Sequence, residues 1–207
     1  MAVYVRNNIP CVKAEEGLTG RLQSPSGPVF ADLPEDEQIG GYLTLSSESE
    51  ALELDLEGRA VIVELEPFVL ISVYCPAVTT AKREVFRETF ITVLEKRAKN
   101  LISMGKSVVI AGDINICRGQ IDTADPIGAA RRTESGIFED TPSRRWLREF
   151  LVPNGPFVDT GRHIHPEREG MYTCAMLTAI HILIGLGWEQ RIQARAGNYG
   201  KWPPMNE

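Results

Sequence analysis

Apolar and polar positions along the chain fall into segments of different period. Residues 59–65 and 68–74 are both rich in Val, Ile and Leu, with Glu66-Pro67 between them, which predicts two neighbouring strands joined by a tight turn. The second run is apolar at nearly every position, as expected of a strand covered on both faces. From 80 to 104 the period changes: Phe86, Phe90, Val93, Leu94, Arg97 and Leu101 lie three or four apart, with Lys, Arg and Glu between them. That spacing predicts an amphipathic helix stopped by Gly105. Ser107-Val108-Val109-Ile110-Ala111-Gly112 then reads as a short buried strand. A second, shorter helix is predicted over 144–151, capped near Thr141-Pro142-Ser143. Phe157-Val158-Asp159 and Met171-Tyr172-Thr173-Cys174 predict two more short strands. At the start, Ala2-Val3-Tyr4-Val5 predicts a strand that needs a neighbour, followed by a turn through Pro10. Residues 13–57 carry much Glu, Ser, Gly and Pro with little period, and predict a long loop with one strand at Gly41-Tyr42-Leu43-Thr44-Leu45. There is no internal repeat.

The order strand, strand, amphipathic helix, strand points to an α/β (α+β) sandwich, in which functional residues sit where strands end. A length of 207 residues suits a single core. Apolar residues at 43% and charged residues at 24% exclude a disordered or collagenous chain. With 22 basic against 28 acidic residues the net charge is −6. A general basic coat is thereby excluded, so nucleic-acid binding would need a local basic patch or a metal-bearing site. Cys11, Cys75, Cys117 and Cys174 show neither a C-x-x-C spacing nor a histidine at zinc-finger distance, and read as reduced intracellular thiols. The longest apolar run, 175–187, is interrupted by His181 and is too short to cross a bilayer, so no membrane partner is expected.

Three places could carry chemistry. Gly112-Asp113-Ile114-Asn115 closes the buried strand, and in extended chain the carboxylate and the amide point to the same side. Such a carboxylate can orient or deprotonate a water, and such an amide can donate to a phosphate oxygen. An Asx turn that closes the strand fits the same spacing. Val73-Tyr74-Cys75-Pro76 ends the other apolar strand, where a phenol can donate to an anionic oxygen or pack with its hydroxyl in water. In Asp159-Thr160-Gly161-Arg162-His163-Ile164-His165-Pro166 two histidines lie two apart, which fits a metal site or a polar loop.

Together these stretches resemble the exonuclease III-like apurinic/apyrimidinic (AP) endonuclease family of the endonuclease/exonuclease/phosphatase superfamily. The matching residues are Asp55-Leu56-Glu57-Gly58-Arg59, Val73-Tyr74-Cys75-Pro76, Gly112-Asp113-Ile114-Asn115, Gln120-Ile121-Asp122, Asp159 with Arg162 and His165-Pro166, and Tyr172-Thr173-Cys174. Ala14-Glu15-Glu16-Gly17-Leu18-Thr19-Gly20 and Tyr74-Cys75-Pro76 are similar to the branch of the second eukaryotic AP endonuclease. The resemblance implies two mixed β-sheets flanked by helices and Mg²⁺-dependent hydrolysis of the phosphodiester 5′ to an abasic site. It also implies damaged double-stranded DNA as partner, 3′-end trimming as an accompanying activity, and base excision repair in the nucleus. By the same resemblance, Asp113 would position or activate the attacking water, Asn115 would hold a phosphate oxygen, and Tyr74 would lie against that phosphate. Asp113 and Asn115 would also serve the metal, Mg²⁺ with Mn²⁺ as the alternative. Asp122 is expected to order the loop after the catalytic strand, and Arg162 with His165 to be structural. Arg131, Arg132, Arg144 and Arg145 are candidates for DNA backbone contact or for a solvated basic face.

The chain departs from the family pattern at both ends. No Trp-Asn-Asn-type first strand, no Leu-Gln-Glu-Thr-Lys with its metal-binding Glu and no Ser-Asp-His is present. The domain is therefore expected to be partial over 1–174 and the isolated chain to be inactive. Residues 175–187 interrupt an expected Tyr-Thr-Cys-Trp, since Trp188 follows Cys174 when they are removed. They are expected to be an anomalous apolar insertion from a retained intron or a wrong gene model, with 188–207 a remnant of the domain and a non-family tail. A transcript that keeps the intervening codons would count against this, in favour of a genuine family-specific insertion. Two further readings stay open: a superfamily phosphoesterase acting on lipid or RNA, and a non-catalytic binding isoform.

Overall fold

The computed structural model describes residues 1–45, 47–169 and 180–185. In chain order the elements are β1 (Cys11–Glu16), α1 (Glu48–Leu56), β2 (Ala60–Leu65), β3 (Val69–Tyr74) and α2 (Ala81–Ser103). They continue with β4 (Val108–Asp113), α3 (Pro126–Arg131), α4 (Pro142–Phe150), β5 (Phe157–Asp159), α5 (Thr160–Ile164) and β6 (Ile180–Gly185). The strands form a mixed six-stranded sheet in the order β1-β2-β3-β4-β6-β5. Only β3 and β4 run parallel; the other neighbours are antiparallel.

The apolar runs become the middle of this sheet. Ile62, Val69, Ile71, Val73, Val108 and Ile110 are all buried. Against them lies α2, whose buried stripe includes Phe90, Val93, Leu94, Ala98 and Leu101. Helix α2 starts at Thr80, whose side chain accepts a hydrogen bond from the Arg83 amide, and so satisfies one of the orphan donors of the first turn. The helix is the crossover that a parallel β3–β4 pair requires. Farther along, Trp146 and Phe150 of α4 stack at 4.8 Å and Phe150 stacks on Phe157 of β5 at 4.3 Å.

Two buried carboxylates fasten the N-terminal third to this core. Asp55, on α1, accepts from the Leu18 amide at 2.6 Å, the Thr19 amide at 3.0 Å and the Thr19 hydroxyl at 2.5 Å. Glycine is required at position 17, where φ is +81° and a Cβ would fall 2.3 Å from the Asp55 carboxyl carbon. Glu15 pairs with Arg97 of α2 at 2.8 Å, both out of contact with water.

The α/β class is as expected, and the described residues form one mixed sheet. Residues 13–57 contribute most of an edge strand and a helix to it. Gly41-Tyr42-Leu43-Thr44-Leu45 is not a strand: Tyr42 gives its hydroxyl to Glu15 at 2.5 Å and its ring lies 4.0 Å from the Arg97 guanidinium. These contacts pin the segment without a ladder. Ala2-Val3-Tyr4-Val5 is not a strand either, and Tyr4 is 95% exposed; among the described residues no strand pairs with it. Ile180–Gly185, inside the segment expected to be an insertion, forms a strand between β4 and β5. The strand expected at Met171-Tyr172-Thr173-Cys174 lies outside the described residues, as do 188–207.

Candidate active site

The carboxyl ends of β3 and β4 meet in register, with Tyr74 opposite Asp113. In-register neighbours of a parallel pair share a face, so the phenol and the carboxylate emerge side by side. The pairing continues one residue beyond the strand, since the Cys75 amide donates to the Asp113 carbonyl at 2.8 Å. Gly112 permits the approach: its φ is +136°, and a Cβ there would fall 1.9 Å from the Val73 carbonyl oxygen. The glycine of the motif is thus set by strand packing.

Asn115 does not continue the extended chain. It has φ +53°, the only positive φ at a non-glycine position among the described residues. Its amide donates to Asp113 Oδ1 at 2.9 Å and its Nδ2 to the Cys75 carbonyl at 2.8 Å. The Asx turn and the candidate site therefore coexist. One carboxylate oxygen orders the turn, and the turn ties the amide to the end of the neighbouring strand. The carboxylate and amide converge because of this turn, not because of the strand alternation that first suggested it.

Around this corner stand cations that were not singled out as site residues in the sequence. Arg87 of α2 donates to the Asn115 carbonyl at 3.0 Å and to the Ser143 hydroxyl at 2.7 Å. Burial pushes its pKa down. Its signal was an arginine one turn before Phe90, on the buried stripe of the helix. Arg59 donates to the Tyr74 carbonyl at 3.2 Å and its guanidinium lies 5.6 Å from the centre of the Tyr74 ring. Glu57 binds both Arg59 and Arg83, and the Arg83 hydrogen bond is the main cause holding its carboxyl below the usual range.

Asp122 and Arg162 are structural, as expected. The buried Asp122 receives the Arg162 Nε at 2.9 Å and also its Nη2, while its other oxygen takes the Gly119 amide at 2.9 Å. Arg162 Nη1 reaches the carbonyls of His165, Pro166 and Arg168. His163 and His165 are exposed, and no group of three or more His, Cys, Asp or Glu able to hold a metal occurs among the described residues. Asp113 and Asn115 offer one carboxylate and one amide, so a divalent ion held there would keep most of its waters and would not sit in a closed protein cage.

The four arginines proposed for DNA divide. Arg144 is half-buried, donates to the carbonyls of Cys117 and Phe138, and stacks 3.8 Å from the centre of the Phe138 ring. It holds the loop together. Arg131, Arg132 and Arg145 are exposed; Arg132 faces Asp125 at 3.7 Å and Arg145 pairs with Asp140.

No protein-family model matches the chain. The chain is 36% identical to DNA-(apurinic or apyrimidinic site) endonuclease 2 of Schizosaccharomyces pombe over 95% of its own length and 36% of that protein. It is 30% identical to the human protein of that name over 97% of its own length and 37% of that protein. The chain thus spans about a third of the length of these curated relatives. Among solved structures, it superposes on the APE2 catalytic domain of Xenopus laevis with a TM-score of 0.69 and 28% identity, covering 88% of this chain and 60% of that one. A Neisseria 3′ phosphatase bound to product DNA hairpin, 22% identical with a TM-score of 0.52, shares the fold over 65% of this chain and 55% of that one.

Proposed function

We propose, from the premise that the chain belongs to the exonuclease III-like AP endonuclease family, that its Tyr74–Asp113–Asn115 corner takes part in hydrolysis of the DNA phosphodiester 5′ to an abasic site. The observation that carries the reading is the in-register meeting of Tyr74 and Asp113, with Asn115 folded over the Cys75 carbonyl. The Asp113 carboxylate orients the attacking water and accepts its proton as the new oxygen–phosphorus bond forms. The bond from phosphorus to the 3′ oxygen of the preceding nucleotide breaks, and that oxygen leaves as a 3′ hydroxyl with a proton from solvent. Asn115 gives one Nδ2 hydrogen to the Cys75 carbonyl, and that bond fixes the plane of the amide that meets a phosphate oxygen. The Tyr74 phenol, 48% exposed, donates to the same phosphate. Mg²⁺, or Mn²⁺ in its place, held by Asp113 and Asn115 would neutralise charge on the phosphate and the leaving oxygen. The partner is duplex DNA carrying an abasic site, the process base excision repair with 3′-end trimming, and the compartment the nucleus.

The test is Mg²⁺-dependent cleavage of a duplex oligonucleotide with one abasic-site analogue, comparing this protein with its Asp113→Asn variant. Incision that disappears in the variant is the expected result of a working site and would overturn the inactivity anticipated from sequence. Incision that survives in the variant removes Asp113 from the reaction. Absence of incision in both leaves the activity to the longer relatives and bears out the inactive chain.

A further inference from the structure

We infer that Arg87 is a positioning residue of this site, acting through Asn115. Left-handed backbone at a non-glycine residue persists only where its surroundings over-determine it. Asn115 is held in that conformation from three directions. Its amide goes to Asp113 Oδ1 at 2.9 Å, its Nδ2 to the Cys75 carbonyl at 2.8 Å, and its carbonyl receives Arg87 Nη1 at 3.0 Å. The first two anchors belong to the strand ends that the turn itself joins. Arg87 is an anchor that comes from another layer, because α2 carries it.

Its second donor reaches farther. Nη2 binds the buried Ser143 hydroxyl at 2.7 Å, in the first turn of α4. The guanidinium therefore spans the turn after β4 and the start of α4 with its two arms. No described carboxylate lies within ion-pair distance of it, and its Nε is buried with no hydrogen-bond partner among the described residues. A charged group directed at a carbonyl and a hydroxyl is costly to bury, and here its donors meet the one strained residue of the candidate site. Because Asn115 N–H engages the Asp113 carboxylate, whatever sets the Asn115 backbone also sets which way that carboxylate faces. Lysine has one compact ammonium and cannot span both acceptors in this geometry.

The role in the reaction rests on the proposed function, whereas the role in the turn does not, and the experiment separates them. Amide hydrogen exchange of the intact chain is measured by NMR for the unaltered protein, Arg87→Met and Arg87→Lys, without DNA or metal. The Asn115 amide is expected to exchange about 10- to 100-fold faster in Arg87→Met, the consequence of losing a hydrogen bond from a charged donor. Leu94 and Ile110 amides, in the core of α2 and β4, should stay within about twofold, and Arg87→Lys should fall between. An Asn115 amide that exchanges at the unaltered rate in a folded Arg87→Met protein overturns the inference. If Arg87→Met does not fold, Arg87→Lys decides in the same way. On abasic duplex, a positioning role predicts a kcat about 10- to 100-fold lower in Arg87→Lys with KM nearly unchanged, and a KM effect alone would contradict it. A protein that shows the exchange effect yet cuts no abasic DNA bears out the turn assignment and leaves the reaction, as in the incision test, to the longer relatives.

Discussion

Cys75 shows how the sheet sorts chemistry at a single residue. Its neighbour Tyr74 faces outward, while Cys75 is fully buried and its thiol is pushed up to about 12 by that burial. At pH 8 only about one thiol in ten thousand would be ionised. Cys11 is exposed. Iodoacetamide at pH 8 should therefore label Cys11 and spare Cys75 until the chain unfolds, as read by peptide mass mapping; rapid labelling of Cys75 in the folded protein would contradict the burial. The raised value also has a sign in stability. An unfolded thiol ionises near its usual 9.0, whereas the folded one keeps its proton. Stability is therefore unaffected by this group below about pH 9 and falls as pH rises from there toward about 12.

At the scale of elements, the buried Glu15–Arg97 pair decides whether β1 and the turn after it stay attached to α2. Arg97 lies at a position of the helix that periodicity assigns to the apolar stripe, and its charge is compensated there by Glu15, with the Tyr42 ring stacked on its guanidinium. Removing one partner strands the other charge in a dry interior, so Arg97→Met should cost about 3–5 kcal/mol in urea unfolding. Adding Glu15→Gln to that variant should recover part of the loss, and strictly additive losses would show that the pair is not coupled. The same pair explains what the sequence could and could not show. Strands β2, β3 and β4 and helix α2 were legible to within a residue or two because each has enough apolar positions to fix its own period. Strand β1 was not, because Glu15 is its one buried residue and its pairing is decided by β2. Helix α1 was missed because Leu52, Leu54 and Leu56 alternate and show no helical period, although Ser47 followed by Glu50 is a capping signal and Ser47 does accept the Glu50 amide. Within the site, Asp113 and Tyr74 could be read from strand ends, and the Asx turn from Asp113 to Asn115 was one of the two readings that the spacing left open, because its bond is local. The tie of Asn115 to Cys75 and the clamp by Arg87 could not be read, since both depend on contacts between segments far apart in sequence.

For the molecule as a whole, a net charge of −6 means that attraction to the DNA proposed as its partner would have to come from a few local cations. The structure separates the arginines by what they already hold. Arg144 spends its donors on the carbonyls of Cys117 and Phe138, so Arg144→Met should lower the unfolding temperature and leave the salt dependence of DNA binding nearly unchanged. Arg131 and Arg132 close α3 with exposed side chains, Arg132 facing only a solvent-exposed Asp125. Each phosphate contact they make would steepen the plot of log affinity against log salt by about 0.9. The double variant Arg131→Ala/Arg132→Ala should flatten that slope by up to about 1.8, with no change in unfolding temperature. Fluorescence anisotropy with a labelled abasic duplex, from about 50 to about 200 mM salt, measures it. An unchanged slope would leave these two arginines as a solvated basic face, and any contacts to the proposed DNA partner would then have to be sought nearer the Tyr74–Asp113 corner, where Arg59 and Arg83 share the carboxylate of Glu57.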